Sequence, residues 1–412
     1  AGADHPEVRA SDGSFRLLPL DTQAIDEIYP RNFVAPDGRL FGVDIKGKMY
    51  FVSADLSTLT HVGSVAVTGG GSSAAMYAPG KILLIGGNSA DAVTIDINGA
   101  PPQVAATSNL ATRRDLVNAT LLADGRVLAT GGSAQWNRAV DINNSAAIWD
   151  PATGQWAIGP DGAVARLYHS IALLLPDGSV LVAGGGAPGP FNNSNAEIYY
   201  PPYLFDATGA YALRPQIASA PTSIDPGAGF SIGLGSSDVI ARVTLIKTGS
   251  VTHSWNMEQR FTELAFTQSG ATLTLSAPAN SNLMPPGYYL LFALNGDGVP
   301  SVAKIVKANA TPPAPPPPPN PPSGGSSGAP PATDPPAPGP STPPPVSTPS
   351  SDPPAPPSGP SPTPIPTGST GSGGGGCAFA ARSVFEPSLT LLLAVALALL
   401  QRPNTSKGAC SV

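Results

Sequence analysis

Two short segments carry the side chains most able to do chemistry. The stretch VTHSWNMEQRF, Val251 to Phe261, holds His253, and ARLYHSIALLL, residues 165–175, holds the adjacent Tyr168 and His169. Imidazole and phenolate groups suit copper, and a tetragonal set of nitrogen and oxygen ligands is a Cu(II) geometry. By residue type alone, each of the three could equally be a surface residue or a satisfied core residue. They become a metal site only if the fold brings them together.

The positions of these residues on the predicted elements allow such a meeting but do not require it. Adjacent residues on an extended chain point to opposite sides, so Tyr168 and His169 can reach one metal only where the chain bends at the entrance of a strand. His253 follows the strand-like run ARVTLIK and is expected on or beside the loop that leaves it. Such loops can reach a neighbouring domain.

The first half of the chain repeats itself. Four segments combine a turn glycine with a short apolar run, and their glycines, Gly38, Gly80, Gly125 and Gly178, recur at intervals of 42, 45 and 53 residues. Three of the runs end in Gly-Gly. A period near 45 with several short strands per unit is typical of β-propeller blades, and the Gly-Gly pairs resemble kelch repeats. We therefore predict an all-β chain that opens with a partial kelch-type β-propeller, open to solvent on one side.

The remainder divides into three further regions. After Arg214-Pro215 the repeat stops and short alternating strands predict an immunoglobulin-like β-sandwich. A Pro, Ser and Gly-rich stretch follows that lacks the apolar side chains for a core and predicts a disordered stalk. The predicted regions are the propeller at 1–211, the sandwich at 212–308, the stalk at 309–376 and a tail at 377–412.

Composition limits the classes of binding partner and the cellular location that we expect. The net charge is −6 and only 12% of residues are charged, which argues against a nucleic-acid partner. Asn-x-Ser/Thr acceptors at Asn118, Asn143, Asn192 and Asn309, together with the stalk, favour an extracellular or cell-wall location. The 12-residue apolar run Leu389 to Leu400 is too short for a membrane span. It is either a lipid-anchor signal, which would attach the chain to a membrane, or a stray hydrophobic tail.

Five ordered segments between Ala165 and Val302 carry a family resemblance. They are RLYHSIALLLPDGSVLVAGGG, NAEIYYPPYLF, RPQI, VTHSWNMEQRF and PPGYYLLFALNGDGVPSVA, and this part of the chain resembles the C-terminal part of the copper radical oxidases, the galactose oxidase and glyoxal oxidase family. The resemblance implies that His169 and His253 are equatorial copper ligands and that Tyr168 is an axial ligand that accepts the substrate proton. It also implies small alcohol, aldehyde or carbohydrate substrates.

One part of the family's machinery has no counterpart. The family's redox cofactor is a second tyrosine joined to a cysteine by a thioether, and the only cysteines here are Cys377 and Cys410, beyond the stalk. Tyr29 and Tyr50 are interpreted as core or turn residues. Two interpretations follow: a copper radical oxidase whose upstream blades supply the Cys-Tyr pair, or a non-catalytic cell-wall glycoprotein that keeps the fold for binding carbohydrate, matrix polysaccharide or another partner.

Overall fold

The described part of the chain is built from β-strands. The structure, a computed structural model, describes residues 5–310 except 11, 24, 27, 28 and 237. Its one helix is the short 3₁₀ segment Pro202–Leu204, and no helix in residues 5–310 is long and apolar enough to cross a membrane. The all-β prediction is confirmed. The predicted stalk from residue 311, the tail and the run Leu389 to Leu400 lie outside the described residues.

Four antiparallel sheets follow one another along the first two thirds of the described chain. Blade 1 contains β3 (Arg31–Val34), β4 (Leu40–Val43), β5 (Lys48–Val52) and β6 (Leu59–Ser64), after an N-terminal hairpin of β1 (Glu7–Arg9) and β2 (Phe15–Leu17). Blade 2 contains β7 (Ser72–Ala78), β8 (Lys81–Gly86), β9 (Ala92–Asp96) and β10 (Gln103–Ala106). Blade 3 contains β11 (Asn118–Leu121), β12 (Val127–Thr130), β13 (Ser145–Asp150) and β14 (Gln155–Asp161). Blade 4 contains β15 (Ser170–Leu174), β16 (Val180–Gly184) and β17 (Ala196–Tyr199).

These sheets are arranged like the blades of a propeller. Within each blade the strands pair in chain order, and the first strands of successive blades, β3, β7, β11 and β15, lie next to one another. All four residues of β11 are buried, whereas the outermost strand β10 is exposed throughout. The first strands therefore form the inner wall of the propeller, and the residues that enter them face its axis.

The repeated glycines have the roles that their spacing suggests. Gly38, Gly80, Gly125 and Gly178 all have positive φ, between 69° and 90°, in the turns that join the first and second strands of the blades. Glycine takes this conformation without steric cost. The Gly-Gly pairs lie where blades meet: a Cβ on Gly131 would fall 2.5 Å from the Arg166 carbonyl oxygen of the next blade.

Two sheets form the sandwich. One orders β18 (Ile217–Ser219), β20 (Gly229–Leu234), β24 (Thr272–Ser276) and β23 (Phe266–Ser269); the other orders β19 (Ser223–Ile224), β26 (Lys304–Ala308), β25 (Gly287–Asn295), β21 (Ile240–Lys247) and β22 (Phe261–Leu264). The strand β24 alternates exposed and buried residues, as expected for a strand with one face on the core. The buried sides meet in a core that includes Val243, Leu273 and Leu291.

Propeller and sandwich share a second hydrophobic core. Phe261 and Phe292 of the sandwich belong to the same buried cluster as Leu121 and Leu128 of blade 3. The side chain of Phe261 fills the space beside Gly125, where a Cβ would lie 2.7 Å from the Phe261 ring. The two domains are therefore packed against each other through apolar contacts, which fixes the sandwich loops relative to the inner wall.

The glycosylation acceptors differ in accessibility. Asn118 is only 2% exposed, and its amide donates a hydrogen bond of 2.8 Å to the Ser170 hydroxyl. Asn143 and Asn309 are partly exposed, and Asn192 is exposed. Asn118 therefore has a structural role, and the acceptor argument for an extracellular location loses one of its four sites.

We predict that the protein made in a glycosylating secretory host carries an N-linked sugar at Asn192 and none at Asn118. A glycan cannot be accommodated at a side chain that is buried and hydrogen-bonded in the folded state. Glycopeptide mass spectrometry checks this, with Asn192→Gln as the control that removes the occupied site. Folded protein with a sugar on Asn118 would contradict the structure.

Candidate metal centre

One loop of the sandwich inserts into the propeller and brings His253 with it. This axial loop, residues 248–260, joins β21 to β22. The Ser254 backbone N–H donates to the Ser170 carbonyl at 3.1 Å, in the inner strand of blade 4. The buried Trp255 indole N–H donates to the Ser72 carbonyl at 2.5 Å, in the inner strand of blade 2.

The end of the axial loop contacts the other two blades. The Gln259 side-chain oxygen accepts from the Leu121 N–H at 2.7 Å and its amide donates to the Ala119 carbonyl at 2.6 Å, both in the inner strand of blade 3. The Arg260 guanidinium donates to the Val34 carbonyl of blade 1 at 2.7 Å. The axial loop thus bonds to the inner strand of every described blade.

The three sequence-predicted site residues meet at the axial loop. The ring centroids of Tyr168 and His169 lie 4.0 Å apart, those of His169 and His253 4.5 Å, and those of Tyr168 and His253 5.3 Å. Their side chains come from the entrance of β15 and from the axial loop, which are far apart in sequence. The structure therefore assembles one donor cluster from two domains.

His169 and His253 both have unusual backbone conformations, which set the directions of their imidazole rings. His169 has φ of 67° and His253 has φ of 55°, in the left-handed region that residues other than glycine seldom occupy. Such conformations occur at functional sites more often than elsewhere. The bend at His169 is the one that the adjacent Tyr168-His169 pair needs in order to reach a single point. Leu116, just before the inner strand of blade 3, has a similar φ of 63° but carries no donor atom.

Tyr29 also belongs to the cluster, and sequence reasoning missed it. Its ring stacks on His253 at 4.7 Å and on Trp255 at 4.2 Å, and its hydroxyl is hydrogen-bonded to the hydroxyl of Tyr168. Tyr29 lies in a bend, as its interpretation as a core or turn residue allows, but its ring also joins the cluster, whereas Tyr50 lies in the core, 4% exposed in β5. The signal was available: Tyr29 comes just before the inner strand of blade 1, as Tyr168 and His169 do in blade 4.

The surroundings keep His253 in the form that binds metals. Its Nδ1 lies 2.5 Å from the Thr252 hydroxyl oxygen, and a hydrogen bond at this nitrogen leaves Nε2 as the available donor. Burial, and then the neighbouring His169, lower the pKa of His253 below its usual value. A neutral imidazole is the ligand form, so this shift favours metal binding.

The cluster is open on one side. His169 is exposed, while Tyr168 and His253 are partly exposed. Trp136, 37% exposed, lies with its ring centroid 5.9 Å from that of Tyr168, and its backbone N–H donates to Asp115 at 3.1 Å. Trp136 therefore borders the cluster, whose histidines and tyrosine remain accessible to solvent.

The donor set fits copper better than the hard or thiolate-bound metals. Within the described residues, no group of three or more His, Cys, Asp or Glu side chains could hold a metal ion. The rings that lie together are instead two imidazoles and two phenols, which offer nitrogen and oxygen donors. Mixed nitrogen and oxygen donors of this kind are those of tetragonal Cu(II) sites, while Mg²⁺ and Ca²⁺ prefer carboxylates and carbonyls.

Comparison with known proteins identifies relatives of this fold. Residues 214–308 match the family "Galactose oxidase-like, Early set domain". Galactose oxidase of Gibberella zeae is 33% identical over 248 residues, which cover 55% of this chain and 36% of that enzyme. An aldehyde oxidase of Arabidopsis thaliana is 30% identical over 271 residues, covering 59% of this chain and 43% of the relative.

A solved structure extends the likeness to three dimensions. A fungal alcohol oxidase of the AA5 family, in complex with copper, superposes with a TM-score of 0.70 at 26% identity, covering 75% of this chain and 71% of that one. The sandwich is thus a galactose oxidase-like early set domain attached to propeller-like blades. The chain is related to the copper radical oxidases, and it spans about a third of the length of the galactose oxidase it matches.

The hydrogen-bonded position of the axial loop against the propeller can be tested at Gln259, which is 3% exposed. We predict that Gln259→Ala lowers the free energy of unfolding by about 1–3 kcal/mol, because it leaves buried backbone groups of β11 without partners. Denaturant unfolding measures the change. The control Gln103→Ala removes an exposed amide from β10 and is expected to change stability by less than about 0.5 kcal/mol. Equal effects of the two substitutions would show that the hydrogen bonds of Gln259 with β11 do not stabilise the fold.

Proposed function

We propose that Tyr168, His169 and His253 bind Cu(II), and that the chain carries the copper-binding portion of a protein of the copper radical oxidase type. The observation that carries the proposal is the convergence of three rings from two domains, with centroids 4.0 to 5.3 Å apart. The two imidazoles would supply nitrogen ligands and Tyr168 a phenol oxygen. When bound, copper supplies a one-electron redox centre and a Lewis acid.

Within that site, the residues of this chain have distinct roles. The Nδ1 of His253 is hydrogen-bonded to Thr252, so its Nε2 would be the nitrogen that binds copper. The exposed His169 would supply the second nitrogen ligand from the propeller. The phenol oxygen of Tyr168 would accept the proton of a substrate hydroxyl. The ring of Trp136 beside it would position the substrate at the opening and exclude part of the solvent.

The substrate class is proposed from the relatives. The matched proteins include a galactose oxidase, aldehyde oxidases and an alcohol oxidase, which suggests a small alcohol, aldehyde or carbohydrate. An extracellular or cell-wall location is supported by the exposed acceptor Asn192 and by the Pro-rich composition of residues 311–376. We include this location in the proposal.

Redox turnover needs a second one-electron group. The thioether of the related enzymes requires a cysteine, and residues 1–376 contain none. We therefore propose that the chain by itself binds copper without oxidising alcohols or aldehydes. The missing cysteine also favours the second candidate function, a non-catalytic wall or matrix glycoprotein that uses the same fold to bind polysaccharide.

Copper binding can be tested by substituting histidines one at a time. We predict that the purified protein binds one Cu(II), and that His169→Ala and His253→Ala each weaken binding roughly tenfold or more, because each removes a nitrogen ligand. Isothermal titration, with chelator competition, measures the affinity. His61→Ala is the matched control, since His61 is an exposed residue of β6 outside the cluster. If all three variants bind copper like the wild type, the proposed site is wrong.

A turnover assay then separates the two functions. The copper-loaded chain is expected to produce no more hydrogen peroxide from small alcohols or aldehydes than His253→Ala does, because it lacks the second redox group. Peroxide formation that requires His253 would overturn the proposal of an inactive chain. Retention on an immobilised wall polysaccharide, independent of copper, would support the glycoprotein function.

A further inference from the structure

We propose that a cavity between the outer strands of blades 3 and 4, here called the outer cavity, binds a neutral polysaccharide. Its lining includes Asp161 at the end of β14 and, from blade 4 and the segment after it, Ile198, Tyr199, Tyr200 and Phe205. The described residues that line it include no ring of the donor cluster. The inference rests on the second candidate function, the binding of polysaccharide, and deepens it by assigning the site and the class of sugar.

The outer cavity arises from a difference between blades 3 and 4. In blade 3, the indole N–H groups of Trp149 and Trp156 reach blade 2 and donate to the Thr107 hydroxyl at 2.9 Å and the Ser108 carbonyl at 2.7 Å. Tyr199 holds the register position of Trp149 in blade 4. No described residue of blade 4 takes the place of Trp156, and a cavity of about 370 Å³ remains. This volume is within the range of ~300–1,000 Å³ that ligand sites have.

Exposed aromatic rings continue from the cavity onto the surface. Tyr200, 44% exposed, contacts Tyr211, 66% exposed, with ring centroids 6.1 Å apart. Tyr211 also stacks on Phe205 at 5.1 Å, with the ring planes 24° apart. These contacts orient the rings and leave much of the two tyrosines accessible. The C–H groups on one face of a sugar ring are apolar and slightly positive, so they pack against the negative face of an aromatic ring.

The cavity also contains hydrogen-bond acceptors. The Glu197 carboxylate accepts from the Arg166 guanidinium and from the Ala163 N–H, both at 2.7 Å, and is therefore held in one orientation. The exposed side chains of Asp161 and Asn144 also line the cavity, and neither has a hydrogen-bond partner within the described residues. Carboxylates only accept hydrogen bonds, and sugar hydroxyls can donate them.

These acceptors favour a neutral sugar over two other ligands that aromatic surfaces bind. A proline-rich peptide stacks on aromatic rings, but proline has no N–H to donate to a carboxylate. An acidic polysaccharide would bring its own carboxylates next to Asp161, which forms no salt bridge with a described residue. A neutral polysaccharide supplies both the apolar ring faces and the hydroxyl donors.

Titration with oligosaccharides tests the site. The chain is made without N-glycans, because the acceptor Asn143 also lines the cavity, and is titrated calorimetrically with cellohexaose, xylohexaose and mannohexaose. We expect it to bind at least one of them, and we expect Tyr200→Ala and Tyr211→Ala each to weaken that binding about tenfold, because each removes a stacking ring. Tyr288→Ala is the matched control, since Tyr288 is a tyrosine of β25 in the sandwich that is 57% exposed.

A substitution of the acceptor gives a second variant that keeps both aromatic rings. Asp161→Ala removes an exposed carboxylate from the cavity and is expected to weaken binding of the same oligosaccharide severalfold. Copper affinity is measured for Tyr211→Ala and Asp161→Ala, and both are expected to match the wild type. Loss of copper affinity in either variant would contradict a site separate from the donor cluster.

The outcomes separate this inference from the proposed function. If a neutral oligosaccharide binds and none of the cavity substitutions weakens it, polysaccharide is bound elsewhere on the chain, and the inference fails while the second candidate function stands. Three further results would overturn the inference: no binding of the three oligosaccharides, preference for polygalacturonate, or binding only of a synthetic peptide with the sequence of residues 311–322. Weaker binding in the three cavity variants, with Tyr288→Ala unchanged, supports it.

Discussion

The site depends on the hydrogen bonds that seat the axial loop, residues 248–260, against the inner wall of the propeller. Inner strands expose backbone N–H and C=O groups toward the axis, and unpaired buried groups of this kind are costly. The amide of Gln259 satisfies one of each in β11, and Trp255 and Arg260 satisfy carbonyls in β7 and β3. Because these hydrogen bonds connect the loop to several blades, the blades determine the position of the loop. The position of His253 is therefore fixed as well.

The same contacts offset the strain at the imidazoles. Left-handed backbone at a residue other than glycine costs roughly 1–2 kcal/mol, and His253 and Ser254 are two such residues in succession, with φ of 55° and 76°. The Ser254 N–H bonds to Ser170 and its hydroxyl lies 3.1 Å from the Ser170 hydroxyl, which in turn accepts from Asn118. The strained turn is thus tied to the strand that begins immediately after His169. This link explains why Asn118 is buried.

The sequence predicted the periodic features well. Turn glycines at a regular spacing require positive φ, and alternating apolar residues require a half-buried strand, so the blades and the sandwich followed from local chemistry. The meeting of His253 with Tyr168 and His169 was predicted from a family resemblance, since spacing alone left their roles open. Tyr29 was missed although it precedes the inner strand of blade 1 as Tyr168 precedes that of blade 4, because its contacts with the axial loop depend on how two domains pack. The amide contacts of Gln259 with β11 are likewise a tertiary feature.

We propose that loop and propeller together form one copper site, and anomalous diffraction at the copper edge from crystals of the copper-loaded protein tests this most directly. We expect a single strong peak within about 2 Å of a nitrogen of His169 and of His253, with phenol oxygen beside it. A peak elsewhere on the chain, or copper bound by only one of the two histidines, would contradict it.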